Sequence, residues 1–386
     1  MTDRERLLAI LSGQSPDRIP WIPRLQLWYD ARMTQGNMPE RWQGWALRDI
    51  ERDLGLGAPA RSGRVYRTEL RGVEQRIREE GRDTITEYIT PLGAVSTRVR
   101  RSEALDEVGI EGLEVEKMIK DVADYPAVEY IIAHTDIIPT YDEFLAYDAE
   151  IGEEGLPMVQ IDPDPMFRVL REFIGFDNAY YHLLDYPAEV AHLLAVLDEW
   201  AGEMQRVVLD SPATLILGGV HFHAQMTPPP LFREHMLPYF QEFARRLHAR
   251  GKALACHADA DTSGLLELIV EAGFDMAECF VTAPMVPVTL AQAREAFGTN
   301  VSSGTDVSSG TRVIIWGGVP SVILGDPVSD DAFEDYMLNL FRTIAPGDAF
   351  ILGVADNVMP ESKIERIARI SEMVEVHGAY PVAAGG

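Results

Sequence analysis

Lys252-Ala-Leu-Ala-Cys-His257-Ala-Asp259-Ala-Asp261 and Asp275-Met-Ala-Glu278-Cys279-Phe280 decide the fold. Two short apolar runs, Lys252–Cys256 and Phe274–Phe280, read as buried strands. Between them Thr262–Ala272 places apolar residues at Leu265, Leu266, Leu268, Ile269 and Ala272, which is helical spacing. This is one β-α-β unit. Each strand ends in groups able to bind a metal or move a proton. In α/β barrels the carboxyl ends of the strands carry the chemistry. The unit therefore reads as half of an active site.

The same alternation extends on both sides. Leu156–Asp162, Ala213–Gly219, Val313–Trp316 and Ala349–Val354 read as buried strands, each followed by a helix, and Ile19–Leu27 reads as a strand despite Pro20 and Pro23. Apolar strands alternating with helices demand a parallel sheet. Seven strands are clear and an eighth is hidden, distorted or absent. This count points to an α/β fold, a distorted (β/α)8 TIM barrel, spanning 1–386 as one domain. No Gly-x-Gly-x-x-Gly follows the first strand, so a nucleotide-binding fold has no motif support. Within 63–102 the pattern changes to alternating strands separated by Arg71-Gly72, Glu80-Gly-Arg-Asp83 and Pro91-Leu-Gly93. It predicts an inserted antiparallel β-meander, a cap or subunit-contact element. Val301-Ser-Ser-Gly-Thr305 repeats as Val307-Ser-Ser-Gly-Thr311 and reads as a loop, and the segment after His377 as a frayed tail.

Composition narrows the class. The 386 residues carry 34 Lys and Arg against 61 Asp and Glu, a formal charge of −27. That argues against nucleic acid or an anionic membrane surface as partner. No run of about 18 apolar residues is present. The charged N-terminal segment lacks the apolar core of a signal peptide. With only Cys256 and Cys279 present, the expectation is reduced thiols in a cytoplasmic protein.

Four strand ends converge if the barrel closes: His221 and His223; His257, Asp259 and Asp261; Glu278 and Cys279; and Asp356 with Asn357. Histidine, carboxylate and thiolate are metal-binding types, and three protein ligands plus an open position make a catalytic zinc site. Without a metal the same groups serve as general acids and bases. Each also has an ordinary role open to it. Asp259 and Asp261 can cap the helix that follows. Strand alternation turns Cys256 away from His257 and Cys279 away from Glu278, so both cysteines read as structural. Trp28 and Tyr29, past the first strand, and Met226, in the proline-rich loop after His223, are candidate substrate contacts. The alternative for Trp28 and Tyr29 is a helix start packed on the barrel.

Arg4-Glu-Arg-Leu-Leu-Ala-Ile-Leu-Ser-Gly-Gln-Ser-Pro-Asp-Arg-Ile-Pro20, Thr227-Pro-Pro-Pro-Leu-Phe-Arg-Glu-His-Met-Leu-Pro-Tyr-Phe240, Gly251-Lys-Ala-Leu-Ala-Cys-His257, Glu271-Ala-Gly-Phe-Asp275 and Trp316-Gly-Gly-Val-Pro320 resemble the uroporphyrinogen decarboxylase superfamily. The resemblance implies a distorted (β/α)8 barrel, often a homodimer. The decarboxylases hold substrate carboxylates with an arginine-rich N-terminal segment, and here that segment offers Arg24 only. The other branch, the zinc- and corrinoid-dependent methyltransferases that include methyl-ether demethylases, carries a His-x-Cys pair and a later Cys as zinc ligands. The resemblance puts His257 and Asp259 at the pair and Asp356 near the later cysteine, with oxygen in place of sulfur. Glu278 is an added candidate.

The expectation is therefore a zinc-dependent methyltransferase component. Its metal ligands would be His257, Glu278 and Asp356, its catalytic residues His221, His223 and Asp259. A small methylated substrate would bind at Trp28, Tyr29 and Met226. Cobalamin would enter only through a separate corrinoid protein, since the chain has no Asp-x-His-x-x-Gly. The alternatives are a metal-independent decarboxylase of a small acid and a non-enzymatic binding barrel.

Overall fold

The computed structural model describes residues 1–107, 112–298 and 312–383. The serine-rich repeat at 301–311 lies outside the described residues. The chain forms two compact units. One takes Arg64–Phe144 and Asp162–Pro212, the other Met1–Gly63, Leu145–Ile161 and Ala213–Gly386.

The first of these units holds strands β1 (Tyr66–Leu70), β2 (Glu74–Glu80), β3 (Asp83–Thr90), β4 (Gly93–Arg100), β5 (Leu113–Glu116) and β6 (Thr135–Pro139). β2 through β5 form an antiparallel sheet in sequence order. Two-residue loops join Glu80 to Asp83 and Thr90 to Gly93, at the turn signals read from the sequence. Two corrections follow. The sheet gains β5, beyond the expected boundary of the meander. β1 leaves it and pairs with β6, Tyr66 opposite Pro139 and Leu70 opposite Thr135. That partner is distant in sequence, and period-2 patterning cannot identify it. β2 is exposed along its whole length, and its run of Glu and Arg keeps that edge from pairing with other chains. The helix Tyr125–Ala133 buries Ala127, Val128, Ile131 and Ile132, and the 24-residue helix Pro187–Asp210 buries Leu193, Leu197 and Met204.

Asp164 caps the turn Pro165–Phe167 by accepting from Phe167 N at 3.0 Å, but its Oδ2 has no hydrogen-bond partner among the described residues. Burial without a compensating charge pushes its carboxyl up to about 7. The native state therefore binds a proton between about pH 4 and 7 that the unfolded chain has released. The stabilisation from this group is complete below the unfolded value and is lost as pH rises through the folded one. Asp164→Asn, which keeps the cap and stays neutral, is expected to remove a slope of about 1 kcal/mol per pH unit over that window. Urea denaturation of both proteins from pH 4 to 8 measures it. Equal slopes would show that Asp164 is ionised in the native state.

The second unit is built on β7 (Met158–Gln160), β8 (Leu215–Val220), β9 (Ala253–His257), β10 (Met276–Phe280), β11 (Ile314–Val319) and β12 (Phe350–Val354). They form one parallel sheet in the order β12-β11-β10-β9-β8-β7. β8, β10, β11 and β12 are buried at every residue, which accounts for their continuous apolar sequences. Alternate residues face one core. Leu217, Ala255, Met276 and Ile314 lie in register across four strands and join Leu7 and Ile10 of the helix Asp3–Leu11. That helix is capped by Thr2, whose side chain accepts from Glu5 N while the Glu5 carboxylate accepts from Thr2 N.

Irregular segments continue the sheet at both edges. Trp21 bridges in parallel to Leu352, and Gly63 to Val159. Ile22 N donates to Leu352 O, Met158 N to Ala60 O, and Gly57 N to Trp21 O. The first segment was expected as a strand over Ile19–Leu27. Pro20 and Pro23 lack the amides a ladder needs, which leaves the bridge isolated. The tail expected to fray is tied down through its described residues. Ala379 bridges to Arg18 and Val382 N donates to Pro346 O. No described helix is long and apolar enough to cross a membrane.

Candidate active site

The register that builds the core also builds the site. Two residues beyond Ala255 and Met276, on the same face, His257 of β9 lies opposite Glu278 of β10. His257 Nδ1 is 2.5 Å from Glu278 Oε2. Its Nε2 is 3.3 Å from Asp259 Oδ2 and 3.9 Å from Asp356 Oδ1, at the end of β12. His221, just past β8, has Nδ1 2.8 Å from Asp259, and its ring meets that of His257 edge to face. Four strand ends thus contribute to one cluster.

Two arginines that the site reading did not include complete it. Arg61 NH1 donates to Glu278 Oε1 at 2.9 Å and lies 3.7 Å from Cys279 Sγ. Arg24 NH1 donates to Asp356 Oδ1 at 3.1 Å and lies 3.4 Å from the same sulfur. Both come from the irregular edge segments, where neither periodicity nor a motif marks a residue. The only available signal was that Arg24 is the sole arginine of its segment.

Cys279 is a correction. Alternation assigned its side chain to the opposite face from Glu278. Instead its Sγ donates to Glu278 Oε1 at 3.0 Å and lies within the cluster. The cause is its backbone, at φ +53°, and the register shift between Glu278 and Phe280. His221, Asp356 and Ala60, next to Arg61, also have positive φ. These are four of the five such non-glycine residues among those described. Strained backbone of this kind concentrates where a structure must aim particular side chains. Cys256 is buried and free, as expected.

The other expected site residues have local settings of their own. His223 holds its own loop, its N donating to Thr227 Oγ1 and its Nδ1 accepting from Gln225 N. Met226 follows on that loop, 42 % exposed. Asp261 Oδ1 accepts from Ser263 N, the ordinary turn role. Trp28 is only 1 % exposed, set edge-on against Trp42 with Arg32 over its face. Its ten-residue helix, Gln26–Gln35, buries Trp28 and Ala31, so the ring is drawn into packing. Tyr29 OH donates to Trp45 O. Trp28→Ala is expected to cost about 3–5 kcal/mol of stability and to leave KM unchanged. Urea denaturation beside steady-state kinetics separates the two, and a raised KM at unchanged stability would return Trp28 to the pocket.

The cluster balances its charges. Arg24, Arg61 and a protonated His257 face Glu278, Asp259 and Asp356. Burial alone would lower the His257 pKa, but Glu278 and the hydrogen bond to Asp259 override it and push it far up. Burial would raise Glu278, yet His257 and Arg61 hold it below the usual carboxylate range. Asp259 is likewise held down by His221 and His257 against its burial. Two groups of three donors lie close enough to share a cation: His221, His257 and Asp259, and His257, Glu278 and Cys279.

A solved structure described as a methyltransferase from Methanosarcina mazei superposes with a TM-score of 0.56 at 15% identity, covering 97% of this chain and 99% of that one. A dipeptide epimerase from Methylococcus capsulatus, complexed with Mg ion, aligns over 81% of this chain and 80% of its own at 14% identity, with a TM-score of 0.19. Among curated proteins no match is found. The profile of the family described as Uroporphyrinogen decarboxylase (URO-D) matches residues 167–377, over half of the chain and inclusive of His221, His257, Asp259, Glu278, Cys279 and Asp356. By that match the chain belongs to the uroporphyrinogen decarboxylase family.

Proposed function

We propose that the chain is a zinc-dependent methyltransferase component acting on a small methylated compound, a methyl ether, with the cobalt of a separate corrinoid protein as acceptor. The backbone bonds joining Trp21 to Leu352, Gly63 to Val159 and Gly57 to Trp21 support reading its second unit as a closed (β/α)8 barrel. The name of the Methanosarcina structure is in keeping with methyl transfer.

The observation that carries the reading is the orientation of His257. Its Nδ1 is committed to Glu278, and its Nε2 faces Asp259 and Asp356 at 3.3 and 3.9 Å. Ligand atoms around a tetrahedral zinc stand roughly 3.3–3.6 Å apart, given bonds of about 2.0–2.2 Å. A histidine whose other nitrogen meets a carboxylate is the usual form of a metal-bound imidazole. His257, Asp259 and His221 stand close enough to one another to share zinc, Glu278 orients His257, and Asp356 faces the same nitrogen from 3.9 Å. When bound, zinc would polarise a substrate oxygen as a Lewis acid. His221, 38 % exposed and held at Nδ1 by Asp259, would exchange protons at Nε2. His257 and Arg61 keep Glu278 ionised, and Arg24 donates to Asp356.

The test is the metal content of protein purified without added zinc, together with methyl transfer to cob(I)alamin across methoxylated aromatics and simple methylated compounds. About one zinc per chain and a methylated corrinoid product are expected. A metal-free protein that releases carbon dioxide from a small acid without any corrinoid would establish the second reading, a decarboxylase. Arg24 and Arg61 favour that alternative, because cations in the cluster suit a substrate carboxylate.

A further inference from the structure

His257 stands between two sets of donors. One is Asp259, facing Nε2, with His221; the other is Glu278, on Nδ1, with Cys279. Cys279 and Glu278 belong to metal-binding types as much as Asp259 does. A divalent cation therefore has two places to go, and one of them would recruit a thiolate.

Arg61 distinguishes them. Its guanidinium occupies Glu278 Oε1 at 2.9 Å and comes within 3.7 Å of Cys279 Sγ, while Cys279 spends its own proton on the same Oε1 at 3.0 Å. A cation on that side would have to displace a like charge held against a carboxylate that is 1 % exposed. Arg24, which donates to Asp356, also comes within 3.4 Å of Cys279 Sγ, whereas among the described residues no arginine contact is made to Asp259, whose hydrogen bonds go to the two histidines. Arg61 itself is held in place. It follows Ala60, which takes a left-handed backbone and accepts from Met158 N at 2.9 Å. Its bond to Glu278 also fixes the carboxylate that receives the Nδ1 proton of His257, so a metal would take Nε2 in exchange for the proton there.

We infer that Arg61 is a positioning residue that directs the cation to the Asp259 and His221 side of His257 and keeps Cys279 out of the coordination shell. This rests on the zinc reading above, and cobalt(II) titration followed by absorption spectroscopy tests it. Wild-type protein should bind cobalt with ligand-field bands and no thiolate-to-cobalt charge transfer. Arg61→Met should gain the thiolate band, and Cys279→Ser added to that variant should remove it. Arg61→Lys, which keeps the charge, should retain the wild-type spectrum. Should Arg61→Met fail to fold, Arg61→Gln, neutral but still a donor, is expected to gain the same band. A thiolate band in the wild type, or a neutral Arg61 variant with the wild-type spectrum, would overturn the inference. Failure of the wild type to take up either zinc or cobalt would instead sink the zinc reading and this inference with it, an outcome separate from the other two.

Discussion

Glu278→Ala is expected to destabilise the protein by about 3 kcal/mol, at the lower end of what breaking a buried ion pair costs. Glu278 is the single acceptor shared by three neighbours: His257 Nδ1 at 2.5 Å, Arg61 at 2.9 Å and the Cys279 thiol at 3.0 Å. Removing it leaves two buried cations facing each other across a small cavity. His257 can relieve its share by releasing its proton. Arg61 cannot, because a guanidinium stays charged at any ordinary pH. The residual penalty therefore falls on Arg61, and its partial exposure, 16 %, keeps the loss from reaching the top of the range. Glu278→Gln, which keeps an oxygen acceptor, should cost less than Glu278→Ala. Urea denaturation at pH 7 measures both. A loss below about 1 kcal/mol for the alanine variant would mean that water reaches the cluster freely.

His257→Ala is expected to lower zinc content from about one per chain to near zero and kcat/KM by roughly a thousandfold, about 4 kcal/mol of transition-state stabilisation. Both effects come from one side chain, because the nitrogen facing Asp259 and Asp356 and the one held by Glu278 belong to the same ring. His223→Ala is the control. His223 lies on a neighbouring loop with its hydrogen bonds turned inward, so metal content should stay at the wild-type level and kcat/KM within about threefold. Plasma emission spectrometry for the metal and a methyl-transfer assay test the pair. An active, zinc-loaded His257→Ala protein would remove the centre of the proposed mechanism.

The parallel strands were legible because burial on both faces imposes continuous apolar runs, and β7 to β12 fall within or beside the runs read from the sequence. His257 and Glu278 were legible for a related reason: a costly buried histidine or carboxylate at a strand end stands out. Other residues were hidden by distance or by backbone geometry. Cys279 was assigned to the wrong face because alternation assumes extended backbone, and one left-handed residue breaks it. Arg61 lies in a segment that pairs through an isolated bridge and so carries no period. Trp28 shows the opposite error. An aromatic residue after a strand end suggests a pocket, but a large ring is drawn into packing wherever a partner such as Trp42 is available.

The parallel bridge between Trp21 and Leu352 joins segments about 330 residues apart in the chain. At translation speeds of about 5–20 residues per second, roughly 15–65 s separate the emergence of the two partners. Throughout that interval Trp21, Ile22 and their unpaired amides have no β12 to meet. The nascent protein therefore holds an incomplete sheet edge throughout that interval, and a chain stalled before Phe350 keeps that edge open to chaperones and to other unfinished copies of itself.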